Sequence, residues 1–225
     1  MREHNSRLLL ILASSLLVIS CTSSTVEKDQ FSGFLPNYAL LKETTSPSGQ
    51  PVMRWVNKDF NPNSYDAIAF DKLELYPSPK PNEKIDNKTL IELQEYASAS
   101  AKKAIPSNFK IITTDSLKSY NGRAIVIKAA ITGVSASNEG MKWYEVVPVA
   151  AVVGAASAAS GYRDQDTELY IEASVVDART KKPMMYVVRK VFGRDLENSQ
   201  QKIKVDDFKA ALQEMNKDLS TMLSR

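Results

Sequence analysis

Cysteine and histidine are almost absent from this chain of 225 residues, which contains one of each, Cys21 and His4. Both lie at or before the end of an apolar leader, so cleavage ahead of Cys21 would leave no histidine. The domain that follows therefore has no nucleophile activated by histidine, no zinc site built from histidine and cysteine and no internal disulfide. Glycine is also scarce, and neither a glycine-rich phosphate loop nor a Gly-x-Ser-x-Gly elbow occurs.

Charge of one sign is not concentrated anywhere in the sequence. The 29 basic and 26 acidic residues give a formal net charge of +3, and the lysines occur as dispersed pairs. A nucleic-acid-binding surface requires a dense basic patch or stripe. We therefore expect no nucleic acid among the partners of this protein.

The first 20 residues have the pattern of a secretory signal peptide. A start with two arginines is followed by an apolar run over residues 8–19. This run is shorter than the roughly 20 residues that span a bilayer, but it has the length of a signal-peptide apolar core. It ends in Val-Ile-Ser-Cys, which resembles the bacterial lipobox. The sequence therefore predicts a lipoprotein signal peptide over residues 1–20 and lipidation of Cys21.

The lipobox resemblance implies attachment to a membrane through the N-terminus. A lipobox cysteine carries a diacylglyceryl group and usually a third acyl chain, and each buried CH₂ contributes roughly 0.8 kcal/mol. Thr22 stands where an aspartate would favour retention at the inner membrane in enteric lipoproteins. We therefore expect an outer-membrane lipoprotein that faces the periplasm, with residues 21–30 as the lipidated N-terminus and a flexible polar tether.

Residues 31–225 are predicted to form one α+β domain. Alternating apolar residues predict short strands, and the last two of these form a hairpin. The first strand pattern contains a bulge near Asp71. The predicted strands are residues 65–76, 109–113, 123–134, 168–177 and 184–192.

Two helices are expected beside these strands. Thr89 has the position of a helix cap, and Pro106 ends the first helix. Apolar residues at steps of three or four predict an amphipathic C-terminal helix over residues 205–222. The expected architecture is a single antiparallel or mixed β-sheet covered by about two helices.

Residues 31–41 form an aromatic-rich arm that we expect to pack onto the domain. The first ten residues of the arm resemble the opening of a bacterial lipoprotein family of unknown function, the domain-of-unknown-function family 3313. These residues are Phe-Ser-Gly-Phe-Leu-Pro-Asn-Tyr-Ala-Leu. Lys181-Lys182 depart from the family, which tends to carry Gly-Glu there. The resemblance implies an envelope location and supplies no catalytic residues. Further matches occur at Asp59-Phe60, Tyr65-Asp66, Arg123-Ala124, Ile131-Thr132, Glu172-Ala173 and residues 177–180.

An uncharged stretch of small residues at 146–160 admits two interpretations. It is too short and too interrupted to span a membrane as a helix. It is either a buried segment under the sheet, or a surface on which an envelope protein or a second copy docks, because small residues allow two backbones to approach closely. The residues named for such a surface are Val146, Val149, Ala151, Val153 and Ala155.

Acidic residues support two weaker hypotheses. Asp164, Asp166 and Glu168 alternate along the chain and could together bind Ca²⁺, but the glycine and further oxygen ligands of a calcium loop are missing. A solvated strand end is the favoured interpretation, and no metal or cofactor is expected.

Carboxylate pairs could instead serve a hydrolase acting on cell-wall material, provided that each pair shares a cleft. The candidate pairs are Asp66 with Asp71 and Glu172 with Asp177.

Four aromatic residues could stack on glycan rings, but buried aromatics are more often part of a core. The expected function is therefore a non-enzymatic binding or accessory module of an envelope assembly, with the cell-wall hydrolase as the alternative. The four aromatic residues are Tyr38, Trp55, Trp143 and Tyr144.

Overall fold

The computed structural model describes residues 25, 26, 28–137, 165–198 and 200–224. Within these residues the chain forms eight strands and two α-helices. The helices are α1 (Asn87–Ala104) and α2 (Val205–Leu223). The strands are β1 (Lys42–Thr45), β2 (Pro51–Val56), β3 (Ala67–Ala69), β4 (Glu74–Leu75), β5 (Lys110–Ile112), β6 (Ala124–Ser137), β7 (Asp166–Asp177) and β8 (Pro183–Phe192).

The eight strands form one mixed sheet in the order β1-β2-β8-β7-β6-β3-β5, and β4 also pairs with β6. In the part of the sheet that runs β1-β2-β8-β7-β6, all neighbouring strands are antiparallel. Strands β3 and β4 run parallel to β6, and β5 runs parallel to β3. The long β7–β8 hairpin lies at the centre. This confirms the predicted α+β domain with a mixed sheet and two helices.

The first predicted strand is divided into β3 and β4. Ala69 pairs with Val126, and Glu74 pairs with Ala130. The chain therefore advances five residues while β6 advances four, so one extra residue is accommodated near Asp71. This agrees with the predicted bulge.

Strand β7 is buried on both faces. Because successive strand residues point to opposite sides, Leu169 and Ile171 lie in the core beneath the helices, whereas Tyr170 lies in a second cluster on the other face. The arm covers this second face, where Phe31 stacks on Tyr38 with ring centroids 4.4 Å apart. The sheet is therefore sandwiched between the helices and the arm, as expected for a packed arm.

The first helix begins two residues before the predicted cap. Asp86 is extended, and its carboxylate accepts the N–H of Thr89 at 2.8 Å. Thr89 is therefore not the cap, because an aspartate three residues earlier satisfies its free N–H group. Leu90 and Leu93 lie on the buried face as predicted.

The C-terminal helix matches its prediction closely. Phe208 and Leu212 are fully buried, and Asp207 accepts the N–H of Lys204 at 2.8 Å at the start of the helix. A carboxylate at this end also interacts favourably with the helix dipole. Because these apolar side chains are buried, the apolar stripe of α2 packs on the sheet beside α1.

Candidate functional site

A solvent-facing pocket of about 320 Å³ lies where β6 begins and β7 ends. The two strands are paired there, and Ala178 N–H donates to the Ala124 carbonyl at 2.9 Å. We call this the arginine pocket, after its two exposed cations. Its lining residues are Arg123, Ala124, Asp177, Arg179 and Thr180.

Asp177 holds the loop of the arginine pocket in place. One carboxylate oxygen accepts the backbone N–H groups of Arg179 and Thr180 at 3.0 and 2.8 Å. The other accepts the Tyr65 hydroxyl at 3.1 Å and an Arg123 N–H at 3.5 Å. Burial alone would raise the pKa of Asp177, but hydrogen bonds from Thr180 and Tyr65 hold it below its ordinary value. Asp177 is therefore an ionised structural carboxylate.

The two arginines of the pocket differ in their surroundings. The Arg123 guanidinium lies 4.8 Å from the centre of the Tyr65 ring and pairs with Asp177. Arg179 is exposed, and its guanidinium has no hydrogen bond or ion pair within the part of the chain that the structure describes. Two arginines thus line the pocket, and only one of them pairs with its carboxylate. A planar guanidinium with free N–H groups suits a carboxylate or a phosphate.

The Lys181-Lys182 departure from the family pattern has a local explanation. Lys181 has φ 61°, in the left-handed region that favours glycine. Its ammonium donates to the Ala178 carbonyl at 2.7 Å, which partly offsets the strain of this conformation. Lys182 pairs with Asp59 at 2.7 Å. A lysine therefore occupies a turn position whose backbone conformation favours glycine.

The carboxylate pairs suggested for a hydrolase do not come together. Asp66 and Asp71 lie before and after β3; the first accepts the Tyr120 hydroxyl at 3.0 Å, and the second accepts a backbone N–H at 3.1 Å. Glu172 and Asp177 are five residues apart on β7, so their side chains point to opposite faces of the sheet. Neither pair has the shared cleft that acid–base catalysis requires.

The solvated strand end predicted for the acidic trio is wrong at Glu168. Glu168 has no exposed surface and pairs with Lys190 at 3.4 Å. The Tyr170 hydroxyl donates to the Glu168 carboxylate at 2.6 Å. Burial is the main reason that the pKa of Tyr170 is raised, and the neighbouring Glu168 carboxylate raises it further. The prediction failed because β7 is covered on both faces. Among the described residues, no group of three acidic, histidine or cysteine side chains is placed to bind a metal.

The arm is held by a third buried carboxylate, Glu172. Its oxygens accept the Ser32 N–H at 2.9 Å and the Tyr38 hydroxyl. The Tyr38 oxygen in turn accepts the N–H groups of Gly33 and Leu35 at 2.9 and 3.1 Å. Sequence reasoning missed this contact, because Glu172 has no local feature that distinguishes it from a solvated strand residue.

Tyr38 and Trp55 pack against the second cluster, on the face of the sheet that the arm covers, as the core interpretation predicts. Trp55 packs against Tyr186 with ring centroids 5.3 Å apart. Tyr38 is half-buried against Phe31. Both side chains pack against other aromatic rings, and neither lines the arginine pocket. This arrangement favours a role in packing over glycan binding.

Several predicted features lie outside the described residues. These include the leader over residues 1–20 and Cys21, and the segment over residues 146–160 with its named surface residues. In the described part of the chain, no helix is long and apolar enough to cross a membrane. Also outside are Trp143, Tyr144 and Asp164.

Comparison with known proteins gives one family. The model of a family described as "Protein of unknown function (DUF3313)" matches residues 30–219. The curated proteins named "Uncharacterized lipoprotein YdcL" from Escherichia coli strain K12 and Escherichia coli O157:H7 are each 39% identical over 207 residues, which is 92% of this chain and 91% of theirs.

Two solved structures show a weak likeness to this chain. A PelC dodecamer from Paraburkholderia phytofirmans aligns with a TM-score of 0.35 and 9% identity over 80% of this chain and 96% of that chain. A variant of the same dodecamer aligns with a TM-score of 0.37 and 11% identity over 82% and 98% of the two chains. A likeness at this level carries no argument about function.

Proposed function

The chain belongs to the DUF3313 family of proteins of unknown function, and from this premise we propose that it is a lipid-anchored protein of the bacterial envelope. The relatives named as lipoproteins support this proposal, and so does the lipobox-like junction that ends at Cys21. Thr22 favours the outer membrane, with the domain in the periplasm. In this proposal the domain is a non-enzymatic binding or accessory module of an envelope assembly.

The observation that carries the binding role is the arginine pocket. Arg179 presents an exposed guanidinium with no carboxylate partner in the described part of the chain, beside a second guanidinium at Arg123. An arginine in such a position is well suited to an acidic group on a partner, since arginine is enriched among the residues that dominate binding energy. The cell-wall hydrolase receives no comparable support, because its carboxylates do not share a cleft.

Replacing Cys21 with serine should abolish the lipid anchor. Without the thiol no diacylglyceryl group can be added, so the variant should keep the mass of the full precursor and should not reach the outer-membrane fraction. Ser23→Ala is the matched control, since it changes the tether and leaves the cysteine intact. Fractionation and intact mass spectrometry measure both effects. A Cys21→Ser protein with the wild-type mass and location would contradict the lipid anchor.

Reversing the charge at Arg179 should weaken partner capture. We expect Arg179→Glu to reduce the yield of photo-crosslinked partners in envelope membranes by at least about tenfold, which corresponds to about 1.4 kcal/mol of binding free energy. Lys217→Glu, an equal charge reversal at an exposed site on α2, should leave the yield unchanged. Equal crosslinking by all three proteins would show that the arginine pocket does not bind the partner.

A further inference from the structure

The chain enters the domain on the face of the sheet that the arm covers. The Thr25 hydroxyl donates to the Glu43 carboxylate of β1 at 2.7 Å. Glu43 pairs with Met53 of β2, and directly opposed residues of an antiparallel pair share a face. Val26 is 3% exposed and packs in the second cluster with Tyr170. Thr25 and Val26 are therefore already part of the packed domain.

A short length of chain separates this entry point from the lipidation site. Thr25 follows Cys21 by four residues, and four residues span at most about 14 Å even when fully extended. A domain of about 200 residues has a radius of gyration of about 16 Å. The anchor therefore holds the face that contains Thr25 nearer to the bilayer than the opposite face, which α1 and α2 cover.

Large apolar side chains on the same face remain partly exposed. Six residues pack on the second cluster and are each only half-buried, and we call this surface the arm face. Tryptophan and tyrosine are enriched where a membrane meets water, because their rings are apolar and carry one polar group. Residues 27–29, next to the entry point, have charges of mixed sign, so contact with a bilayer would depend on the rings rather than on attraction to anionic headgroups. The six residues are Phe31, Phe34, Tyr38, Leu40, Met53 and Trp55.

We propose that the arm face lies against the lipid bilayer to which Cys21 is anchored, with Trp55 at the level of the headgroups. The anchor identifies the occupant of this surface, since it attaches the lipid within about 14 Å of Thr25. Trp55 lies on the same face as Met53, about 7 Å further along β2 from the position opposite Glu43. The inference rests on the proposed lipid anchor, and it adds which side of the domain meets the membrane.

Fluorescence quenching by brominated lipids tests this orientation on the mature lipidated protein. Trp143→Phe leaves Trp55 as the single tryptophan of the chain, and the protein is placed in vesicles of phosphatidylethanolamine and phosphatidylglycerol with or without brominated acyl chains. We expect bromine to lower the Trp55 fluorescence at least about twofold, because tryptophan settles at the bilayer interface. The matched control combines Trp55→Phe, Trp143→Phe and Lys217→Trp. Its single tryptophan is on the exposed side of α2 and should not be quenched.

Photolabelling of the unsubstituted protein keeps the test informative if a tryptophan variant folds poorly. A phospholipid with a diazirine in its acyl chain should label peptides from residues 31–56 and spare peptides from residues 205–223, as located by mass spectrometry. Intact mass and flotation with the vesicles report the anchor separately from the orientation.

Three kinds of result would overturn the proposal. Equal quenching of the two tryptophan proteins, or stronger quenching of the Lys217→Trp protein, would contradict the orientation. A lipidated protein that floats with the vesicles but shows neither quenching of Trp55 nor labelling of the arm face would refute this inference and leave the anchor intact. A mature protein whose mass lacks the lipid would refute the anchor, and this inference with it.

Discussion

The Asp218→Ala protein should lose about 3–5 kcal/mol of its free energy of unfolding, because removal of one partner of a buried ion pair leaves the other charge uncompensated. Arg189 on β8 and Asp218 on α2 are 6% and 4% exposed, and an Arg189 N–H donates directly to the carboxylate. Asp218 also accepts the N–H and hydroxyl of Ser48 at 2.6 and 2.8 Å. The substitution therefore removes the polar contacts that Asp218 makes from α2 to β8 and to the β1–β2 turn. Urea unfolding monitored by circular dichroism measures the loss.

The same carboxylate should make stability depend on acidity. Burial alone would raise the pKa of Asp218, but hydrogen bonds from Arg189 and Ser48 outweigh it and hold the pKa below 3.8. A carboxyl whose folded-state pKa is depressed stabilises the fold above its unfolded-state pKa and loses that contribution as pH falls towards the folded value. Wild-type stability should therefore decline below about pH 4, and Asp218→Ala should show a shallower decline.

Two further variants test the cause of this loss. Asp206→Ala removes an exposed carboxylate that pairs with Lys209 in the first turn of α2, and it should lower the urea midpoint far less than Asp218→Ala does, because solvent screens such pairs and only a favourable interaction with the helix dipole is lost. Replacing both partners, with Arg189→Met and Asp218→Leu together, should recover most of the stability, since neither charge of this pair then remains to be left uncompensated. A small loss in Asp218→Ala, or a double variant as unstable as the single one, would contradict the uncompensated charge as the cause.

The parts of the fold that sequence predicted well are those with a local pattern. The β7–β8 hairpin and α2 were expected at nearly their observed limits, because alternation and steps of three or four recur within a few residues. The bulge near Asp71 was also local. The first helix cap was misplaced because two polar residues, Asp86 and Thr89, stand three positions apart, and either could accept a backbone N–H.

The sequence indicated individual residues of the candidate site but not that they lie together. Arg123 and Asp177 were noted as parts of separate family matches, but 54 residues separate them along the chain. Only the pairing of β6 with β7 brings them into one pocket. Glu168 and Glu172 were misjudged for the same reason, since periodicity cannot show that an arm more than 100 residues away covers their face of the sheet.

Replacing Tyr38 with phenylalanine should release the arm from the sheet at a cost of about 2–3 kcal/mol. The change removes the hydroxyl that donates to the fully buried Glu172, and it also removes the acceptor of the Gly33 and Leu35 N–H groups. The ring remains, so its stacking on Phe31 is retained and the loss reports the hydroxyl. Limited proteolysis should cut the arm of this variant under conditions that leave the wild-type arm intact.

Alkali should have the same effect on the wild-type arm. Burial, and then the hydrogen bond to Glu172, raise the pKa of Tyr38 from 10.0 to about 12. A group whose folded-state pKa is raised stabilises the fold fully below its unfolded-state pKa, and that contribution is lost as pH rises between the two values. Proteolysis of the wild-type arm should therefore accelerate between about pH 10 and 12, whereas Tyr38→Phe should show a smaller acceleration over this interval, because only the lysines and the remaining tyrosines then titrate. Tyr120→Phe, which removes a solvent-facing hydroxyl bonded to Asp66, is the matched control and should behave as wild type. An arm that resists protease in Tyr38→Phe would show that the Tyr38 hydroxyl is not needed to hold residues 31–41 on the sheet.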